Sequence, residues 1–143
     1  ANWALAAVMV VAGAALVAGA ARGPGLDLER YPVAAAGWLD GAGYFTPGRR
    51  VAATDVAGGY LVLRRGREAR VFVDDRVDMY PLAVSRDYLD LLRGRPGARE
   101  ILDRYGIEAV LWPDDRALVA ILEASGGWRV AFAEERWVVL VRA

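Results

Sequence analysis

Trp3 to Ala21 (WALAAVMVVAGAALVAGAA) runs without a charged residue, and as a helix it approaches the length that crosses a bilayer core. Leu5, Val8, Val10, Val11, Leu16 and Val17 each favour insertion by roughly 0.3 to 0.6 kcal/mol, about 2 to 3 kcal/mol together, while Ala and Gly add little or oppose. A secretory signal would place basic residues ahead of the run, and Ala1-Asn2 has none. The competing reading is an Ala-rich helix packed on the domain or on a neighbouring chain. We read the run as a membrane span, the last of a larger protein whose upstream part precedes Ala1, a reading that the absent Met start suits. Gly13, Ala14, Ala15 and Ala18 would let neighbouring helices approach closely, and Arg22 would mark the aqueous end.

Of the 143 residues, roughly 110 to 120 remain, enough for one domain with one core. Arg22-Gly23-Pro24-Gly25 opens a linker over 23–30, and the domain is expected over 31–143. The 18 basic and 18 acidic residues cancel, which leaves no electrostatic footprint for nucleic acid. The chain has no Cys and no His. Disulfides, thiolate chemistry, zinc-cysteine sites, Ser-His-Asp designs and HExxH sites are therefore excluded, and any general acid or base must be Asp, Glu or Tyr.

The best site candidate is Val71 to Tyr80, VFVDDRVDMY. A short apolar β-type run breaks into Asp74-Asp75-Arg76, then Asp78 and Tyr80, the kind of place where an open α/β sheet gathers polar side chains. Two readings compete. In one, Arg76 pairs with Asp74 or Asp78 across a tight turn, so that no carboxylate stays unpaired near the core. In the other, Asp74, Asp75 and Asp78 hold a divalent metal. Asp114 and Asp115 follow a strand in the same way, and neighbouring strands would crowd four acids at one edge; capping and solvation are the commoner fates.

The remaining chain reads as alternating helices and strands. Tyr31 to Leu39 forms a Pro-led helix with Val33 and Ala36 inward beside Trp38 and Leu39, ended by Gly41 and Gly43. A strand at Arg50 to Thr54 follows. The order helix, Gly41-Ala42-Gly43, strand is the reverse of a dinucleotide loop. Asp55 caps the next turn, and Gly58-Gly59-Tyr60-Leu61 leads into a charged loop from Arg64 to Glu68. Glycines there suit close packing on the strands, and no Lys-Ser/Thr follows to make a phosphate loop. Leu82, Tyr88, Leu89, Leu91 and Leu92, then Ile101, Leu102 and Tyr105, recur at helical spacing on two helices parted by Gly94-Arg95-Pro96-Gly97. Ala109 to Trp112 is a buried strand, Ala117 to Ala124 a helix with Leu118, Ile121 and Leu122 inward, and Trp128 to Val141 an antiparallel hairpin joined through Glu134-Glu135-Arg136.

Together these stretches resemble the extracytoplasmic C-terminal region of bacterial polytopic membrane proteins related to glycosyltransferases of the protein O-mannosyltransferase type (GT-C class). The likeness covers nearly the whole chain. Gly58-Gly59-Tyr60-Leu61, Asp74 with Arg76, Asp78 and Tyr80, and Tyr105-Gly106-Ile107 ahead of Val110-Leu111 carry it most specifically. The chain departs in having Asp75 where such sequences have glycine and Ala57 where a Trp often precedes the two glycines. The resemblance implies an accessory domain outside the membrane, beside an active site whose catalytic acid sits in an early membrane-proximal loop. No catalytic residue is carried over to this chain, and no cofactor is implied.

The expected fold is a three-layer α/β domain, its sheet mainly parallel from strands near 51–54, 71–74 and 109–112, with helices on both faces and the C-terminal hairpin added. The expected function is a non-catalytic module of a membrane glycosyltransferase-like protein, partnered by the membrane and by the upstream transmembrane region. Tyr60, Asp74, Arg76, Asp78 and Tyr80 are its candidate ligand residues, with a lipid-phosphate sugar as the candidate ligand. A metal-dependent enzyme and an interaction module that holds a partner through the apolar helix are the alternatives.

Overall fold

The computed structural model describes residues 2–22 and 28–143. The Gly23-Pro24-Gly25 part of the expected linker lies outside the described residues. The chain forms two compact units, the first ending at Arg30 and the second spanning Tyr31–Ala143.

In the first unit, α1 spans Trp3–Arg22. Its Ala-rich, Pro-free sequence favours a helix throughout. Trp3 is 81% exposed and Leu16 75%, so the unit supplies no apolar cover for them. By length and composition α1 can cross a membrane, a property it shares with signal sequences.

The second unit is a mixed helix and strand fold around a four-stranded mixed sheet. In chain order it contains α2 (Val33–Gly41), β1 (Val51–Ala53), α3 (Asp55–Arg65), α4 (Leu82–Leu92), α5 (Ala98–Arg104), β2 (Ala109–Pro113), α6 (Ala117–Ala124), β3 (Trp128–Glu134) and β4 (Trp137–Arg142), with short 3-10 turns at Gly66–Glu68 and Val77–Met79. The sheet order is β1-β2-β4-β3. β1 and β2 run parallel, with Val51 opposite Ala109. β4 is antiparallel to β2 and to β3.

The expected strand at 71–74 shrinks to one parallel bridge, Val51 to Val71. The Val51 N–H donates to the Arg70 carbonyl at 3.1 Å, and the Phe72 N–H to the Val51 carbonyl at 2.9 Å. Beyond that point Asp74 turns the chain by bonding within its own loop, and the ladder stops. Among the described residues the β1–β2 ladder and this bridge are the parallel pairings, so the sheet is mixed.

Side-chain alternation along the strands divides the buried residues into two clusters. Ala52, Val110, Trp112, Val138 and Leu140 join residues of α4, α5 and α6. Val51, Ala53, Ala109, Leu111, Val139 and Val141 join residues of α2 and α3. In α2 the buried positions are Ala35, Ala36 and Leu39, whereas Val33 is exposed. Glu134 on β3 accepts the Ala35 N–H at 3.1 Å, supplying a carboxylate to a helix start where Pro32 makes no side-chain cap bond.

α3 contains the Gly58-Gly59 pair whose element the sequence left open. A Cβ at Gly58 would lie 2.1 Å from the Val73 carbonyl oxygen, and one at Gly59 would lie 3.1 Å from the Asp75 carboxyl carbon. Glycine therefore lets α3 press against the backbone that follows the Val71 bridge, as the sequence suggested.

Candidate functional site

The loop after Val73 forms a closed polar knot. Asp74 is 2% exposed, and a carboxylate so placed needs full hydrogen bonding. Arg76 supplies it. The Arg76 backbone N–H donates to Asp74 Oδ1 at 3.0 Å, its Nε reaches both oxygens at 3.2 Å, and its Nη2 reaches Oδ2 at 2.5 Å. The Tyr80 hydroxyl faces the same carboxylate. The Arg76 bonds hold the Asp74 carboxyl below the usual carboxylate range, against an opposing push from burial. Asp74 in turn holds the Arg76 guanidinium even more firmly charged. Burial, then Asp74, push the Tyr80 hydroxyl up.

A carboxylate in this state is a weak proton acceptor near neutrality, where a general base is best matched to the operating pH. The knot therefore fixes a loop and does not prime an acid for proton transfer. Asp75 and Asp78 are exposed, as are Asp114 and Asp115 beyond β2. Among the described residues no three acidic side chains gather as a metal-binding group, so the metal reading of Asp74, Asp75 and Asp78 has no geometric support.

The sequence-based candidates do not form one constellation. Asp74, Arg76 and Tyr80 come together. Asp78 stays outside the knot, and Tyr60 packs with the α2 and α3 cluster, its ring 5.4 Å from that of Tyr31. Tyr80 packs against the opposite cluster.

Tyr80 also faces a pocket of about 240 Å³ that sequence reasoning missed. Phe72, Ile107, Tyr105 and Tyr80 line it, with Val71 and Val84 alongside and Arg50 and Arg70 completing it. Phe72 and Ile107 are buried. The Phe72 and Tyr105 rings meet at 4.6 Å. The Tyr105 hydroxyl donates to Asp87 at 2.8 Å, and Arg104 donates to the same oxygen at 3.0 Å. Burial, then Asp87, raise the Tyr105 hydroxyl above its ordinary value. Tyr105 is thus oriented by a carboxylate outside the pocket. The sequence held one trace of this site: Arg-Val occurs at 50–51 and again at 70–71, before two segments that turn out to be neighbours.

In comparisons with known proteins, the chain matches no family model and no curated protein.

Proposed function

We propose that this chain is the C-terminal, non-catalytic part of an integral membrane protein related to glycosyltransferases, with α1 as a membrane span and residues 31–143 as a module on the extracytoplasmic side. We take the module as a three-layer α/β domain, a reading supported by core clusters that draw on α2 and α3 in one case and on α4, α5 and α6 in the other. The observation that carries the proposal is α1 itself, apolar over Trp3–Ala21 and long enough to cross a bilayer, with its large side chains exposed. Exposed apolar surface of that extent calls for an apolar surrounding.

The state of the acids supports the non-catalytic part of the reading. Asp74 is neutralised within its own loop by Arg76. Reactive groups then belong to the membrane region, and this module assists the binding of a lipid-linked sugar or its acceptor. The test uses the parent protein in reconstituted vesicles, with and without residues 31–143. The expected result is a fall in sugar transfer without this module; unchanged transfer overturns the accessory role. Flotation with vesicles tests the anchor: the full chain floats, and the chain shortened to begin at Gly23 stays at the bottom of the gradient.

A further inference from the structure

Arg50 and Arg70 are set side by side by the backbone. The parallel bridge pairs Val51 with Val71, so the residues before them are cross-strand neighbours. Val51 and Val71 pack with the α2 and α3 cluster, and alternation turns Arg50 and Arg70 toward the other face, where Phe72 lies. Like charges placed directly opposite each other are unfavourable, and among the described residues no carboxylate forms an ion pair with either arginine. Arg50 Nη1 donates to the Tyr105 carbonyl at 3.0 Å. Glu108, whose N–H donates to the Arg50 carbonyl at 3.0 Å just ahead of the β1–β2 pair, pairs with Arg49 at 3.8 Å. Arg70 makes no ion pair among the described residues.

Under the two arginines lies the aromatic pocket of about 240 Å³. The Tyr105 hydroxyl is engaged by Asp87, and the rings of Tyr80 and Tyr105 form part of the pocket wall. We propose that this pocket binds a small amphipathic anion: a phosphate or carboxylate held by Arg50 and Arg70, on an apolar stem the size of one ring lodged against Phe72, Tyr80 and Tyr105. Guanidinium groups suit such oxyanions because their fixed fork of N–H donors matches two oxygens at once. The inference does not rest on the glycosyltransferase reading and survives its failure.

The test is calorimetric titration of the full chain in neutral detergent micelles, with phenyl phosphate, inorganic phosphate and phenol as separate probes. Phenyl phosphate saturates with a dissociation constant of about 1 mM or tighter, and the two half-ligands bind at least about tenfold more weakly. Arg70→Gln weakens phenyl phosphate at least about fivefold without lowering the thermal unfolding midpoint. Val84→Phe, which fills the pocket from α4, abolishes binding by a route independent of charge. Monododecyl phosphate in the same micelles distinguishes the source: tighter binding than phenyl phosphate assigns the site to a lipid headgroup, weaker binding to a soluble ligand, and either supports an anion on an apolar stem. Phenyl phosphate that binds no better than inorganic phosphate, or that binds equally well to both variants, overturns the proposal.

Discussion

Gly58 lies so close to the Val73 carbonyl oxygen that a Cβ on it would be only 2.1 Å away. The obstacle is backbone, so Gly58→Ala must move α3 or the segment after the Val71 bridge. Overpacking of this kind costs about 1 to 3 kcal/mol, more than the roughly 1 kcal/mol that alanine gains over glycine inside a helix. Gly59→Ala meets the Asp75 side chain at 3.1 Å instead, and that exposed carboxylate can swing away. Urea unfolding should therefore show Gly58→Ala clearly destabilised and Gly59→Ala near or above the parent stability.

Asp74 makes stability depend on pH in a definite direction. Its carboxyl is lowered in the folded state, chiefly by the Arg76 side-chain bonds, relative to an unfolded Asp near ~3.9. The unfolded chain thus binds the proton first as pH falls. The contribution is complete above about pH 5 and is lost as pH drops through the lowered folded value. Asp74→Asn should cost about 1 to 3 kcal/mol at neutral pH, with the gap to the parent closing in acid. Chemical unfolding from pH 7 down to pH 3 measures this, and a pH-independent gap would show that the pairing is not its origin.

Tyr88 joins α4 to the start of α3. Its hydroxyl accepts the Asp55 backbone N–H at 2.8 Å and donates to Asp55 Oδ1 at 3.1 Å, while its ring lies edge-on to Trp112 at 6.4 Å. Tyr88→Phe keeps the ring and strands both Asp55 groups, so a loss of about 1 to 2 kcal/mol is expected. The urea midpoint should fall with little change in slope. Burial, against an opposing pull from the Asp55 backbone N–H and with help from the Asp55 carboxylate, pushes the Tyr88 hydroxyl far above the ordinary tyrosine range. Ultraviolet titration should therefore leave this phenol neutral until the protein unfolds in alkali.

Glu134 spans between β3 and α2 by accepting the Ala35 N–H. A carboxylate at a helix N-terminus stabilises through both the bond and the helix dipole, by about 0.3 to 1 kcal/mol. Glu134→Gln retains an acceptor oxygen and loses the charge, whereas Glu134→Ala loses both. Thermal midpoints should fall in the order parent, Gln, Ala, with added salt narrowing the first gap.

The elements legible in the sequence are those whose burial follows a local period. Leu118, Leu122 and the strand Ala109 to Trp112 announced α6 and β2, and the short Glu134 to Arg136 connection announced the hairpin. The segment at Val71 looked equally strand-like, but whether it extends a ladder depends on where its N–H groups and carbonyls find partners. Those partners were settled by Asp74 and Arg76 bonding within their own turn, and by Gly58 drawing α3 against Val73. The Arg76 to Asp74 pairing was legible because both ends lie in one loop. The pocket was not, since Arg50, Arg70, Tyr80 and Tyr105 meet only after two crossovers.

At the outer side of the sheet, β3 pairs with β4 in a register that shifts between Val130 and Phe132. The irregular residue Ala131 breaks the even row of free backbone donors and acceptors that a border strand would otherwise display. A second copy arriving edge to edge finds no straight template to extend. Wherever copies of this domain are concentrated, such a crooked border would keep adjacent copies from zipping into a continuous ribbon.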